Sequence, residues 1–291
     1  MNTNKTYPFY FTLGALILYG ALFLIPGIIG IAYSFTDWSS YSQEIHFIGF
    51  ENFKTIFSPE EHYAKYLFNT IQFTFVTTIL KTFFGLFFGI LLTKKVKGLN
   101  FHRAIMFLPS VLSLLIIGII FKSLFDPKIG FINTFLCNIG LDFLAQKWLV
   151  DPSIAFGSVM AVDIWRGTGY IMTIIIAGIM SIPETYYEAA DIDGANGFQK
   201  FKKITLPMLK PTLSVTLVLN IIYGLKVFDI VYVLTNGGPA RKTEVLYTSV
   251  FKEISLGRYG VGTALSTTLF VFMTIIGIFL IKILTRNEVQ E

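Results

Sequence analysis

Six stretches of this chain are apolar, nearly free of charge and long enough to cross a lipid bilayer, and no other feature narrows the possible folds as sharply. They run from Phe9 to Phe35, Thr70 to Leu92, Ala104 to Leu124, Ile154 to Met180, Leu213 to Leu234 and Ala264 to Leu284. A hydrocarbon core about 30 Å thick takes roughly 20 residues of α-helix to span. Strands of a membrane barrel would alternate apolar and polar residues over about ten positions, and these runs are continuously apolar instead. Over the whole chain 54% of residues are apolar and 14% charged, with a mean hydropathy of +0.65. Such a surface needs lipid as its main solvent. The expected fold is therefore all-α, a polytopic membrane protein with six transmembrane helices.

The distribution of basic residues sets the orientation. Lys5, then Lys94, Lys95, Lys97 and Arg103, then Lys200, Lys202, Lys203 and Lys210, and finally Lys282 and Arg286 fall on one side when the helices alternate. Short loops rich in Lys and Arg stay in the cytoplasm, so that side and both termini are expected inside. Lys54, Lys65, Lys128, Arg241 and Arg258 lie on the other side, in longer segments mixed with acids. The net charge of +5 is thus a matter of topology, and no basic stripe on a solvated face speaks for nucleic acid. The first run is too long for a cleaved secretory signal, whose apolar core covers about 7 to 15 residues, so it reads as a retained helix. Cys137 is the sole cysteine and can form no internal disulfide.

Between the runs, two loops on the outer side are substantial. Thr36 to Asn69 mixes acids with the aromatic residues Trp38, Tyr41, Phe47, Phe50, Phe53 and Phe57, a composition that suits the membrane surface. Phe125 to Ser153 carries Phe131, Ile132, Phe135 and Leu136 at helical spacing, which predicts a short amphipathic helix. The longest cytoplasmic loop, residues 181–210, is more than a connector needs. Ser181 and Glu184 have the spacing of a capping box with Pro183 just inside, so a helix is expected to begin directly after the fourth run. It runs through Tyr186 to Ala190 and ends near Gly194, where a residue without Cβ suits a left-handed cap. Phe198 to Ile204 give a further turn or two, and Pro207 and Pro211 bend the chain toward the fifth run. A helix of small alanines beside tyrosines offers a face that a partner groove can grip, or else a plain surface helix.

The segment Glu188-Ala189-Ala190-Asp191-Ile192-Asp193-Gly194-Ala195, with Phe198, Phe201, Ile204, Leu206-Pro207 and Pro211 after it, resembles the EAA loop of ABC importer permeases. Phe228-Asp229, Leu234-Thr235-Asn236-Gly237-Gly238-Pro239 and Ile48-Gly49-Phe50-Glu51-Asn52-Phe53 are similar to segments of carbohydrate-uptake permeases, the subfamily of the maltose and glycerol-3-phosphate permeases. The resemblance implies the type I ABC importer transmembrane fold. It divides the chain into a first helix with its external loop (1–69), the transmembrane domain (70–285) holding the coupling loop 181–210, and a cytoplasmic tail (286–291).

The resemblance also implies partners: a second, unlike permease, ATPase subunits inside, an extracellular solute-binding protein and a sugar substrate, an oligosaccharide or related glycoside. The alternatives are a glycerol-3-phosphate-type permease, whose phosphorylated ligand would favour Arg166 or Lys226 as its partner, and an autonomous secondary transporter, for which the loop 181–210 would have no purpose. In such permeases the coupling helix sits in a cleft of the ATPase, which makes Glu188, Ala189, Ala190, Asp193 and Gly194 the expected coupling residues. No G-x-x-x-x-G-K-[ST] phosphate loop occurs in the chain, so ATP and Mg belong to the partner ATPase and no cofactor is expected here. With His46, His62 and His102 dispersed, neither a metal site nor a catalytic residue is expected.

Ionisable residues at membrane depth are costly and mark pathways or interior pairs. Lys81 lies in the second run, Asp163 and Arg166 in the fourth, Lys226 and Asp229 in the fifth. Asp163 and Arg166, three residues apart, are spaced to neutralise each other on one helix face. The alternative is a sugar site, since planar polar groups and aromatic faces bind sugars. Asp163, Trp165, Arg166 and Gly167 on the fourth run, with Asn220, Tyr223 and Gly224 on one face of the fifth, are the candidate substrate residues. The resemblance to maltose-type permeases points to these same two stretches. Ser110 faces either a cavity or its own helix. Gly85, Gly89, Gly118, Gly178 and Gly277 are expected to mark close helix packing.

Overall fold

The computed structural model describes residues 10–93 and 97–285. Lys5, Lys94, Lys95, Arg286 and the expected tail 286–291 lie outside the described residues.

The elements are helical in chain order: α1 (Tyr10–Tyr19), which continues through a π turn (Gly20–Leu24) into α2 (Ile25–Tyr33); α3 (Glu51–Phe57); α4 (Tyr63–Leu91); α5 (Leu99–Val111); α6 (Leu114–Leu124); α7 (Phe131–Asn138); α8 (Ala155–Met180); α9 (Thr185–Ile192); α10 (Gly197–Lys200); α11 (Leu206–Met208); α12 (Lys210–Leu225); α13 (Asp229–Leu234); α14 (Leu246–Ser255); and α15 (Tyr259–Thr285). Among the described residues the only β contact is an antiparallel bridge between Thr36 and Phe47. In lipid a spanning backbone must satisfy its own polar groups, which is why the apolar runs are helices.

Four helices are long and apolar enough to cross a membrane unaided: Thr12–Tyr33, Tyr63–Leu91, Ala155–Met180 and Tyr259–Leu280. Two bent pairs complete six, Leu99–Val111 with Leu114–Leu124 at 97° and Gly197–Met208 with Lys210–Leu225 at 64°. The bends correct two expected boundaries. In the third span Pro109 lies inside α5, and the chain turns extended at Leu112 and Ser113. A proline lacks the N–H of one helical bond and crowds the turn before it, which favours a break nearby. In the fifth span Pro207 and Pro211 flank the bend at Leu209, as their positions in the sequence predict. The run expected to reach Leu234 as one helix stops at Leu225, and α13 follows a break at Lys226–Phe228.

The described residues group into two compact units. The first holds residues up to Lys65 and Ser249–Thr274. Here Asn52 ties the end of α2 to α3, its Nδ2 donating to the carbonyls of Ser34 at 2.9 Å and Thr36 at 2.7 Å. Phe35 packs among Phe47, Phe50 and Phe53, and Trp38 stacks on Tyr259 while accepting the Gly260 N–H at 2.7 Å. The loop expected along the membrane surface is thus folded on itself and on the start of α15.

The second unit holds Tyr66–Thr248 and Ile275 onward. Helix α8 is its axis, more than half buried where it would cross the membrane. Phe73, Ile117, Phe156, Val159, Val162, Ile230 and Val231 form the main core; Ile171, Ile175, Ile182 and Leu209 form another toward the coupling loop. Lipid is as apolar as leucine, so these helices associate through close van der Waals fit, which small residues permit. A Cβ on Gly85 would stand 2.8 Å from Ile171, one on Gly178 would stand 2.8 Å from Thr212 Cγ2, and Gly118 admits Val233. Gly89 fits against Ile175 in the same way. Gly277 differs from expectation, with nothing among the described residues within 4 Å of where a Cβ would stand. Gly169 lets α8 cross directly under the Met106 carbonyl of α5. In the loop after α6, the predicted amphipathic helix is α7, tied down by Asn133, which donates to Gln146 and accepts from Trp148.

Candidate functional site

Helices α4, α8 and α12 bring four polar side chains together inside the second unit. Lys81 Nζ of α4 lies 2.5 Å from Asp163 Oδ2 of α8, with the two side chains 3% and 0% exposed. Tyr223 of α12 donates its hydroxyl to Asp163 Oδ1 at 2.9 Å and accepts from Arg166 Nη1 at 3.2 Å. The Lys81 ammonium also stands 4.5 Å from the centre of the Tyr223 ring, within reach of a cation–π contact. Two charges removed from water cost several kcal/mol each, about as much as their attraction returns, so the pair is stable only with added hydrogen bonds. Tyr223 supplies one. The expected neutralisation of Asp163 by Arg166 is therefore corrected: Lys81 is the ion partner, and a tyrosine hydroxyl lies between the carboxylate and the guanidinium.

A cavity of about 280 Å³ opens beside this network, lined by Lys81, Ser110, Arg166, Tyr170, Asn220 and Tyr223 among polar or aromatic residues and by Phe107, Ile171 and Leu219 among apolar ones, with Gly167 completing the wall. Asn220 is buried, and its Nδ2 has no hydrogen-bond partner; the same is true of Arg166 Nε. Ser110 does both things considered for it. It lines the cavity, and its hydroxyl donates to the Arg166 carbonyl at 2.7 Å and accepts from the Tyr170 N–H at 3.2 Å. These are the two groups that close one helical turn, so Ser110 pins α5 to α8 beside Arg166.

The sequence-derived candidates divide accordingly. Arg166, Gly167, Asn220 and Tyr223 lie on the cavity wall. Asp163 is sealed behind Lys81 and Tyr223, and Trp165 points elsewhere, edge-on to Phe121 at 5.2 Å. Gly224 packs on α4, where a Cβ would stand 2.8 Å from Thr74 Cα. Gly167 makes room for the stem of Lys81, whose Cε is 2.8 Å from a built Cβ. Lys226 and Asp229 sit exposed at the break after α12, away from the interior expected for them.

On the other side of the spans, α9 and α10 form a helical hairpin. The expected capping box at Ser181 and Glu184 is absent: the Ser181 hydroxyl donates to the Gly178 carbonyl at 2.8 Å and ends α8, and α9 starts only at Thr185. A serine at a helix end can bond backward as well as forward, and here α8 takes it. Helix α9 ends as predicted. Gly194 has φ +73°, the Ala195 N–H reaches the Ala190 carbonyl at 2.9 Å, and the Gly194 N–H reaches Asp191 at 3.1 Å. That paired pattern closes the last carbonyls of the helix. The next helix has its own reciprocal capping box, Asn196 with Gln199. Lys200 pairs with Asp191, and Tyr187 bonds Thr205 at 2.9 Å while packing on the core at Ile182 and Leu209. Glu188, Ala189, Asp193 and Gly194 are exposed and Ala190 is half-buried. Tyr186, Ile192 and Phe198 extend this face with large apolar surface, Ile192 at 88% exposure.

Residues 81–288 match the family described as binding-protein-dependent transport system inner membrane component. The chain belongs to this family. It is 36% identical over 254 residues to the trehalose/maltose transport system permease protein MalF of Thermococcus litoralis, covering 85% of each chain. A bacterial ABC transporter that imports the acidic polysaccharide alginate contains a chain of the same fold, with a TM-score of 0.84 and 26% identity over 95% of this chain and 94% of that one. The same fold appears in a bacterial alginate ABC transporter in complex with an alginate pentasaccharide-bound periplasmic protein, with a TM-score of 0.81 and 26% identity over 93% and 91% of the two chains. The carbohydrate-type resemblance drawn from Glu188 to Pro211 and its companion segments is borne out, as is the type I importer fold.

The matched region of the permease begins at Lys81 and holds both the cavity and the α9–α10 hairpin. Lys81 was legible as an intramembrane charge but not as the partner of Asp163, because sequence spacing reports neighbours on one helix and the pair crosses two. Phe107, Ile171 and Leu219 carry no signal that separates a cavity wall from a lipid-facing position.

Proposed function

We propose that this permease forms half of the translocation path of a sugar importer and that its cytoplasmic α9–α10 hairpin couples the path to an ATPase. The observation that carries this reading is the hairpin itself. It is fixed internally by the Gly194 turn, the Asn196–Gln199 box and the Tyr187–Thr205 bond, yet it leaves Ala189, Ile192 and Phe198 uncovered. An apolar face on the aqueous side of a rigid element calls for a protein partner. A small-residue face lets that partner approach the helix backbone, so a push on α9 passes through Tyr187 to the core at Ile171 and Leu209.

In this reading both termini are cytoplasmic, a second, unlike permease supplies the other half of the path, and ATPase subunits bind nucleotide with Mg. A solute-binding protein delivers an oligosaccharide or related glycoside from outside, a reading supported by the alginate ABC transporter found in complex with a pentasaccharide-bound periplasmic protein. Arg166, Asn220 and Tyr223 are the substrate-facing groups, and Glu188, Ala189, Ala190, Asp193 and Gly194 meet the ATPase.

Thiol cross-linking tests the reading. With Cys137→Ser as background, Ala189→Cys should be labelled only from the cytoplasmic side and should cross-link to an ATPase subunit. Labelling of Ala189→Cys from outside intact cells by an impermeant reagent contradicts it.

A further inference from the structure

The charges around the cavity bear on the class of substrate, an inference that rests on the sugar-import reading. The ammonium of Lys81 and the carboxylate of Asp163 cancel at 2.5 Å. Arg166 is left with a neutral tyrosine hydroxyl as its polar side-chain partner at 3.2 Å, and among the described residues no carboxylate lies within ion-pair distance of it. A guanidinium has five donors arranged to match an oxyanion. Here Nε is buried and unpartnered, and Asn220 on the facing helix has a buried, unpartnered Nδ2. Both residues line the same cavity. The wall thus carries one net positive charge, and two of its neutral hydroxyls already accept an N–H each, Tyr223 from Arg166 and Ser110 from Tyr170.

An uncompensated cation inside a span is costly, and a permanent protein counter-ion would remove that cost. None is supplied by the described residues of this chain. A neutral sugar, whose hydroxyls both donate and accept, would leave the charge unmatched. We propose that the cavity takes a sugar or polyol bearing an oxyanion, carboxylate or phosphate, with Arg166 as its charge partner and Asn220 as a second donor. Lys81 is not free for this role, being closed on Asp163. Lys226 is exposed at the break after α12 and does not line the cavity.

The test is a binding competition on the importer assembled with its second permease and ATPase, in detergent and without the solute-binding protein, so that the permease cavity alone discriminates. Three probes are compared: a neutral trisaccharide of hexoses, a trisaccharide of hexuronates and glycerol phosphate. One anionic probe is expected to bind about tenfold or more tightly than the neutral one, the scale of one charge-assisted hydrogen bond. Which anionic probe leads tells carboxylate from phosphate. Arg166→Gln should abolish the preference of anionic over neutral probe, and Arg166→Lys should retain part of it. If Arg166→Gln fails to assemble, loss of the wild-type preference with rising salt serves in its place. Equal or tighter binding of the neutral trisaccharide, or a preference untouched by both Arg166→Gln and salt, overturns the proposal and leaves the sugar-import reading standing. Binding of no probe, together with no uptake of any saccharide, overturns the sugar-import reading beneath it.

Discussion

Lys81 and Asp163, on different helices and 82 positions apart in the numbering, hold their charged atoms 2.5 Å from each other with almost no exposure. Removing one charge strands the other. Lys81→Met or Asp163→Leu alone should cost on the order of 3–5 kcal/mol of stability, whereas the double variant should recover most of it. Denaturing-detergent titration of the purified chain, run as a double-mutant cycle, measures the coupling; additive losses would show that the pair does not act as a unit.

Gly194 is held at φ +73° with nothing within 4 Å of a built Cβ. A β-branched side chain there meets backbone strain of about 1–2 kcal/mol, while its Cβ meets no neighbour among the described residues. Gly194→Val should therefore insert and fold while losing sugar-stimulated ATP hydrolysis, and Gly194→Asn should keep more activity because asparagine tolerates the left-handed region. Equal activity of Gly194→Val and wild type counts against a coupling role for the turn.

Gly169 and Gly277 make a contrasting pair. The first lies under the Met106 carbonyl and the second faces open space. Gly169→Val should force α5 and α8 apart and destabilise the chain by about 1–3 kcal/mol or more, while Gly277→Ala should leave its melting temperature unchanged. The same detergent titration reads both.

The His46 backbone N–H donates to Asp37 at 2.7 Å and holds the Asp37 carboxyl below the usual carboxylate range, with the His46 side chain adding to the effect. A carboxyl depressed by folding stabilises the loop at pH values above its unfolded pKa, about 3.9, and loses that contribution as pH falls through the lower folded value. Hydrogen exchange over residues 37–47 should show wild type more protected than Asp37→Asn at neutral pH. The two should converge at strongly acidic pH; a difference that persists there would contradict the assignment.

The six spans were legible because lipid enforces long apolar helices whatever the neighbours. Their bends were legible only in part. Pro207 and Pro211 announced the 64° turn at Leu209, while the 97° turn after Val111 depends on Leu112 and Ser113 turning extended, which no residue type there dictates. The end of α9 could be read from Gly194, since one residue type suits a positive φ. Its start could not, because Ser181 can cap backward or forward and the packing of α8 decides. At the cavity the sequence offered Arg166, Asn220 and Tyr223 by residue chemistry. Asp163, Trp165 and Gly224 lie off the cavity wall, since which face of α8 and α12 turns to the cavity is set by Gly167, Gly169 and Gly224 admitting α4 and α5.

ATP-driven uptake in vesicles reconstituted with this permease, its second permease, the ATPase and the binding protein tests the transport role most directly. Uptake of a labelled saccharide is predicted to require ATP inside, this chain, and an intact Gly194. Uptake that proceeds at the same rate without ATP, or with the chain left out, would contradict it.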